Sequence, residues 1–112
     1  MQLTKGHMMS LNEAEMRRTS TELVGNFELT GLSLDQVAAD LGFTPTRVHH
    51  AMHLDGPTDP VDTWLLRDYL VQAVRDAGRD PIPFTILTER SKLKARMWFR
   101  LRKAPRHDFA AA

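Results

Sequence analysis

The stretch of sequence that decides the fold is Leu34 to His53, which reads LDQVAADLGFTPTRVHHAMH. Its apolar residues recur at helical spacing on both sides of Gly42, and glycine adopts the left-handed conformation of a tight turn at low cost. Ala38, four residues before that glycine, is small enough to let two helices approach closely. The stretch therefore predicts a helix-turn-helix, with an apolar interior formed by Val37, Leu41, Phe43, Val48 and Ala51.

Capping signals predict one helix before the helix-turn-helix and mark the start of the first helix within it. The segment Ser10 to Glu13 has the spacing of a capping box, in which each side chain accepts a backbone N–H of the other residue, and the helix it opens should end near Gly31. Ser33 and Gln36 repeat the box and open the second helix. The first helix should be amphipathic, with an inner face of Met16, Ser20, Leu23, Val24 and Phe27.

Two further helices start after the turn. Thr44 is a suitable cap, and Pro45 fits the first helical turn because its missing N–H is harmless there, so the third helix should run to about Leu54. Asp59 followed by Pro60 repeats this signal and opens a long fourth helix, which Gly78 closes.

The end of the chain is predicted to carry the last helix. A proline-containing segment precedes it, in which residues 84–87 could be briefly extended, and Thr88 then caps a basic helix to about Arg102. The sequence therefore predicts an all-α protein, a five-helix bundle in a single domain over residues 10–103. Residues 1–9 resemble a cloning tag or a disordered leader, and residues 104–112 are expected to fray.

Composition excludes several classes of protein. The chain has 112 residues and no cysteine, which rules out disulfides and thiolate chemistry and suggests a cytoplasmic location. Its apolar runs are too short to span a membrane. It has no glycine-rich phosphate loop, nucleophile elbow or zinc-protease motif, so we expect neither an enzyme nor a cofactor. Asp59, Asp62 and Asp68 are interpreted as caps or surface charge.

Charge is divided unevenly along the chain. Residues 1–85 carry seven Lys and Arg against twelve Asp and Glu, whereas residues 86–112 carry eight against two. Basic charge is thus concentrated at the C-terminal end, while the rest of the chain is acidic, which is unfavourable for contact with nucleic acid.

Two resemblances follow from these motifs. Ala38, Gly42 and Val48 are spaced as in the helix-turn-helix of phage-repressor-like bacterial regulators, whose five-helix domain the predicted element order also resembles. The whole chain resembles a small bacterial, actinobacterial-type family known only as a domain of unknown function. That second likeness is carried by NFELTGLSLDQVAADLG, DPVDTWLLRDYLVQAVRDAG and PIPFTIL, and it implies no activity.

The first resemblance implies that the third helix lies in the major groove of double-stranded DNA. Arg47 could then contact guanine or phosphate, and the backbone amides at the helix start would attract phosphate. The set lacks the Gln and Asn side chains that usually read adenine. The outward positions predicted to contact DNA are Thr44, Thr46, Arg47, His49, His50 and His53.

The final helix is predicted to supply phosphate contacts. Its basic stripe runs beside an apolar stripe of Leu93, Met97 and Leu101, which should dock on the body of the protein. A solvated face, or charges that neutralise the acidic body, would explain the same pattern. The basic stripe consists of Lys92, Arg96, Arg100 and Lys103.

The histidines of the third helix also suggest a metal site. His49 and His53 are four residues apart and share a helical face, as zinc ligands often do, but His50 should point elsewhere. Asp55 is close in sequence, yet no carboxylate completes a set at known spacing. We therefore interpret the histidines as exposed polar residues and predict no metal.

Self-association is suggested by the fourth helix, which is apolar around more of its circumference than one small core normally covers. Burial by the final helix would explain this, and so would a homodimer that binds palindromic DNA. The aromatic residues that could anchor a dimer are Trp64, Trp98 and Phe99.

The sequence therefore favours a DNA-binding transcriptional regulator. A second hypothesis is a protein-interaction module, in which the basic C-terminal helix binds an acidic partner and the helix-turn-helix is only a scaffold. A third is a small-ligand sensor with a pocket between the fourth and fifth helices. The salt dependence of binding to duplex DNA separates the first two, because counterion release weakens DNA binding as salt rises.

Overall fold

A computed structural model describes residues 11–56 and 58–110. Within these residues the chain is all-helical, and the predicted number of helices is confirmed. The predicted leader, residues 1–9, lies outside the described residues. The helices are α1 (Glu13–Thr30), α2 (Leu34–Leu41), α3 (Pro45–His53), α4 (Pro60–Asp76) and α5 (Glu89–Trp98).

The first helix begins two residues later than predicted. Its cap is Asn12, whose side chain accepts the N–H of Glu15 at 2.8 Å, while the Glu15 carboxylate accepts the N–H of Asn12 at 3.0 Å. The predicted cap, Ser10, lies outside the described residues. The sequence holds a second, overlapping capping box in Asn12 and Glu15, and this one is present in the structure. The predicted end is confirmed, since Gly31 closes α1 in the left-handed conformation.

The helix, turn and helix of the central stretch are present where the caps predict them. Ser33 and Gln36 form the capping box of α2, and Gly42 ends that helix with a φ of 73°. The Gly42 N–H reaches the carbonyl groups at the end of α2, which is how a C-terminal glycine satisfies orphan acceptors. Thr44 then caps α3, with Pro45 in its first turn.

The core lies where α1, α3 and α4 meet, with α2 packed on α3. Leu23, Val37, Val48, Leu66 and Leu70 are fully buried there. The helix α4 is buried around most of its circumference, and Trp64 lies in the core rather than at a free surface. The inward-facing set predicted for the central stretch is also buried.

The fifth helix differs from its prediction in length and in packing. It ends at Trp98, four residues before the expected end, because Phe99 adopts an extended conformation. The apolar stripe that should dock on the body is mostly exposed: Leu93 is 64% and Met97 80% accessible, and only Leu101 is partly buried. Ala95 is the buried residue of α5, so this helix packs through its smallest apolar side chain.

The segment before α5 bends rather than forming an extended stretch, and Arg67 of α4 binds it by donating from Nε to the Leu87 carbonyl at 2.9 Å. No helix among the described residues is long and apolar enough to cross a membrane.

Residues 104–107 of the C-terminal tail pack on the body, where the sequence predicts fraying. Ala104 is buried, Arg106 forms an ion pair with Asp76 at the end of α4, and His107 Nδ1 lies 2.7 Å from the carboxylate of Asp40 on α2. The prediction failed because it considered the local sequence alone, whereas the contacts that hold the tail come from acidic residues more than twenty positions away.

Candidate nucleic-acid interface

The outer face of α3 is largely exposed, while its inner face enters the core. Val48, Ala51 and Met52 are buried and hold the helix against α1 and α4. The exposed side chains belong to residues predicted as DNA contacts, namely Thr44, Thr46, Arg47, His49 and His53, while His50 is partly buried. The sequence therefore predicted correctly which side of this helix faces solvent.

Arg47 is bound to its own chain. Its Nε and Nη2 donate to the two oxygens of Asp62 at 2.7 and 2.8 Å, and its guanidinium lies 3.8 Å from the ring centroid of Phe43. The hydrogen bond with Asp62 raises the pKa of Arg47. The pair ties the start of α3 to the start of α4, so a base contact by Arg47 would compete with an internal ion pair.

Asp62 is therefore a partner that sequence reasoning missed. The sequence indicates a cap or a surface charge at this position, but only Asp59 caps α4, and the Asp62 side chain is 9% exposed. Asp62 is the second carboxylate at the start of α4, and nothing in the neighbouring sequence indicates that its partner is Arg47, fifteen residues earlier. The pairing depends on how α3 and α4 pack.

The three histidines of α3 have different neighbours. His53 Nδ1 lies 3.3 Å from the hydroxyl of Ser20 on α1, and the rings of His49 and His53 are 4.3 Å apart. His50 Nδ1 lies 2.9 Å from Asp55, and this hydrogen bond lowers the pKa of Asp55. The sequence predicts that His50 points away from His49 and that no carboxylate completes a ligand set at known spacing. In the structure Asp55 turns back onto His50, and one potential ligand atom from each of His49, His50 and Asp55 lies within 4.8 Å of the other two.

The predicted basic stripe does not form as a single helical face. Lys92 is only 12% exposed, and its ammonium lies 2.8 Å from Asp68 and 3.5 Å from Glu89. Arg96 is exposed on α5, whereas Arg100 and Lys103 follow the end of the helix, although both are exposed. The continuous stripe does not form because α5 ends at Trp98 and because the charge of Lys92 is paired with Asp68 and Glu89.

A basic cleft of about 490 Å³ lies between α4, α5 and the C-terminal segment. Its cations outnumber the two acids in its lining, Asp68 and Glu89. This cleft occupies the place expected under the small-ligand hypothesis. The cationic residues that line it are Arg67, Arg75, Lys92, Arg96, Arg102 and Lys103.

An apolar surface is left uncovered on α5. Leu93 is 64% exposed, and Met97 and Trp98 are each 80% exposed. Arg90 and Lys94 are exposed on the same short helix. Of the aromatic residues considered as dimer anchors, Trp64 is in the core and Phe99 is partly buried, so Trp98 is the exposed one.

Comparison with known proteins identifies a family. The family described as "Uncharacterized protein conserved in bacteria (DUF2316)" matches residues 9–100. The chain belongs to this family. The searches of curated proteins and of solved structures found no match to the chain. The matched range of the DUF2316 protein includes all five described helices and ends before the buried Ala104 and the ion pairs of the tail.

Proposed function

We propose that this DUF2316 protein binds double-stranded DNA as a transcriptional regulator, with a phage-repressor-like arrangement that places α3 in the major groove. The observation that supports the proposal is the exposure of most of the outer face of α3 while its inner face is held by α1, α2 and α4. An exposed helix on a rigid support can enter a groove of matching width without rearrangement of the fold.

The contacts proposed for α3 divide into two kinds. Thr46 and His49 are exposed near the start and middle of the helix, so they are the proposed base contacts. Thr44 and the helix N-terminus are proposed to meet phosphate. Arg47 retains its ion pair with Asp62, and its Nη1 has no hydrogen-bond partner among residues 11–56 and 58–110, so it is assigned to phosphate rather than to guanine.

Sequence-independent attraction is assigned to the C-terminal part of the chain. Arg96, Arg100 and Lys103 are exposed and remain in the proposal, whereas Lys92 is withdrawn from it because its charge is already paired. A homodimer would bring two such basic regions to one duplex, and Trp98 is the proposed anchor of its interface. No catalytic role is part of the proposal.

The experiment is a selection from a random duplex pool, followed by affinity measurements across a salt series. The logarithm of the affinity should fall linearly with the logarithm of salt concentration, by about 0.9 per phosphate neutralised. Arg96→Ala with Arg100→Ala should weaken binding to every duplex and reduce that slope. Thr46→Ala with His49→Ala should weaken binding to the selected duplex and leave random DNA unaffected.

Arg17→Ala with Arg18→Ala is the matched control for the loss of two positive charges, because both arginines are exposed on α1. This variant should bind like the unmodified chain. Absence of duplex binding at low salt would refute the proposal. Equal binding by all four proteins would refute the assignment of the surface.

A second candidate function is favoured by the exposed apolar surface of α5. Leu93, Met97 and Trp98 lie beside Arg90 and Lys94, a combination suited to an acidic protein partner with an apolar contact. Under this function Trp98→Ala would abolish partner binding, while the salt-dependent affinity for DNA would be absent.

A further inference from the structure

We propose that His49, His50 and Asp55 form a binding site for a divalent first-row transition-metal ion, with Zn²⁺ as the ion to test. One potential ligand atom from each of the three side chains lies within 4.8 Å of the other two. All three come from the seven residues that contain the last turn of α3 and the loop after it. The proposal does not depend on DNA binding, although it shares His49 with the proposed base contacts, so a bound ion would occupy that side chain.

The backbone brings the carboxylate back onto the helix. Leu54 ends α3 with a φ of 52°, a left-handed conformation that is uncommon for a residue other than glycine. Gly56 is also left-handed, with a φ of 58°, and a Cβ added there would lie 2.9 Å from Cε1 of His50. The loop is therefore closely fitted to the imidazole of His50, and it sets Asp55 beside Nδ1 of that ring.

The donor set suits a metal of intermediate softness. Imidazole nitrogens and a carboxylate oxygen are the ligands by which proteins without an available thiolate bind Zn²⁺, at about 2.0–2.2 Å, and water commonly fills the fourth position. Ligand atoms around such an ion are about 3.4 Å apart. His50 Nδ1 and Asp55 Oδ1 are already closer than this, at 2.9 Å, so the ion requires small side-chain rotations. The C-terminal end of a helix also favours positive charge.

A rival arrangement uses His53 in place of the loop. His49 and His53 are one turn apart and their rings are 4.3 Å from each other, so they could chelate a metal without Asp55. The two arrangements share His49 but differ at Asp55 and His53. Substitutions at these two residues therefore distinguish them.

The experiment measures Zn²⁺ affinity of the full chain by competition with a chromogenic indicator, for the unmodified protein and for Asp55→Asn, His49→Gln and His53→Gln. We expect one saturable site, weakened at least about tenfold by Asp55→Asn and by His49→Gln, and changed less than about twofold by His53→Gln. His107→Gln is a second control, since His107 lies beside Asp40 rather than near this loop.

Circular dichroism of each variant establishes that it is folded, which is expected because His49, Asp55 and His53 are exposed. The absence of saturable Zn²⁺ binding by the unmodified chain would overturn the proposal. So would unchanged affinity in Asp55→Asn, or an effect of His53→Gln greater than that of Asp55→Asn, because each result would remove the loop carboxylate from the site.

Discussion

Arg47 on α3 and Asp62 on α4 are joined by two parallel hydrogen bonds of 2.7 and 2.8 Å. The two partners differ in exposure, since 48% of the arginine side chain is accessible but only 9% of the aspartate. Removal of the arginine would therefore leave a nearly buried carboxylate without its cation. The pair connects the candidate recognition helix to α4, most of which is buried in the core.

The first prediction concerns this pair. Arg47→Ala should lower the free energy of unfolding by about 1–2 kcal/mol, less than for a fully buried pair because solvent already screens the guanidinium. Urea denaturation measures the change. Arg18→Ala is the matched control, since Arg18 is exposed on α1, and it should stay within about 0.5 kcal/mol of the unmodified protein. Equal stability of both variants would show that the ion pair contributes nothing.

A second prediction follows from Tyr69, the one tyrosine of the chain. Burial raises its pKa far above the ordinary value, and its hydroxyl donates to Asp40 at 2.6 Å, which acts in the same direction. The folded state therefore favours the neutral phenol. The buried Tyr69 hydroxyl therefore contributes fully to stability below the unfolded-state pKa of about 10, and this contribution is lost as pH rises above that value towards the raised pKa of the folded state.

The measurement is an alkaline titration of phenolate absorbance, with circular dichroism recorded in parallel. We expect phenolate to appear only as the helical signal is lost, whereas the chain in concentrated urea should titrate near pH ~10. A smooth titration near the ordinary value while the protein stays folded would contradict the buried hydrogen bond.

A third prediction tests the tail. The carboxylate of Asp40 lies near both Tyr69 and His107, and Arg106 is paired with Asp76. Removal of residues 104–112 should lower the free energy of unfolding by about 1–2 kcal/mol, because it removes a buried alanine and leaves Asp40 with one partner fewer. Thermal unfolding measures the loss. Removal of residues 110–112 alone keeps these contacts, and a melting temperature equal for both truncations would mean that the tail does not stabilise the body.

A fourth prediction concerns the packing between α2 and α3. Ala38 is 3% exposed, whereas its neighbour Ala39 is exposed on the same helix. Ala38→Leu should destabilise the protein by about 1–3 kcal/mol, since a larger side chain has no space at this site. Ala39→Leu introduces the same side chain on the solvent face and should be nearly neutral. If urea denaturation gave equal stabilities for the two variants, α2 and α3 would not be closely packed at Ala38.

Local signals predicted the order of the helices and most of their ends. Ser33, Gly42, Thr44 and Asp59 act within four residues of their own position, through caps or a left-handed turn, so a short stretch of sequence contains the complete cause. The start of α1 was displaced because two capping boxes overlap there. Which box forms is not apparent from their spacing.

The errors at the candidate site have a different origin. The sequence predicts Arg47 and His50 as DNA contacts and leaves Lys92 either a phosphate contact or a charge that neutralises the acidic body. In the structure each of the three is paired with an acidic residue of this chain. The partners of the two cations, Asp62 and Asp68, lie on a different helix, so helical periodicity could not identify them. His50 is paired with Asp55 only because Leu54 and Gly56 reverse the chain direction.

The sequence by itself determined the five helices that residues 11–56 and 58–110 form around an apolar centre, since caps, turn glycines and apolar spacing depend on neighbouring residues. Tertiary structure decided which charges stay available and where α5 ends. It also decided that the tail is held, because ion pairs such as Arg106 with Asp76 join residues that are distant in sequence. These ion pairs form only when the helices are packed, because packing brings acidic residues of the body close to basic residues of the C-terminal part.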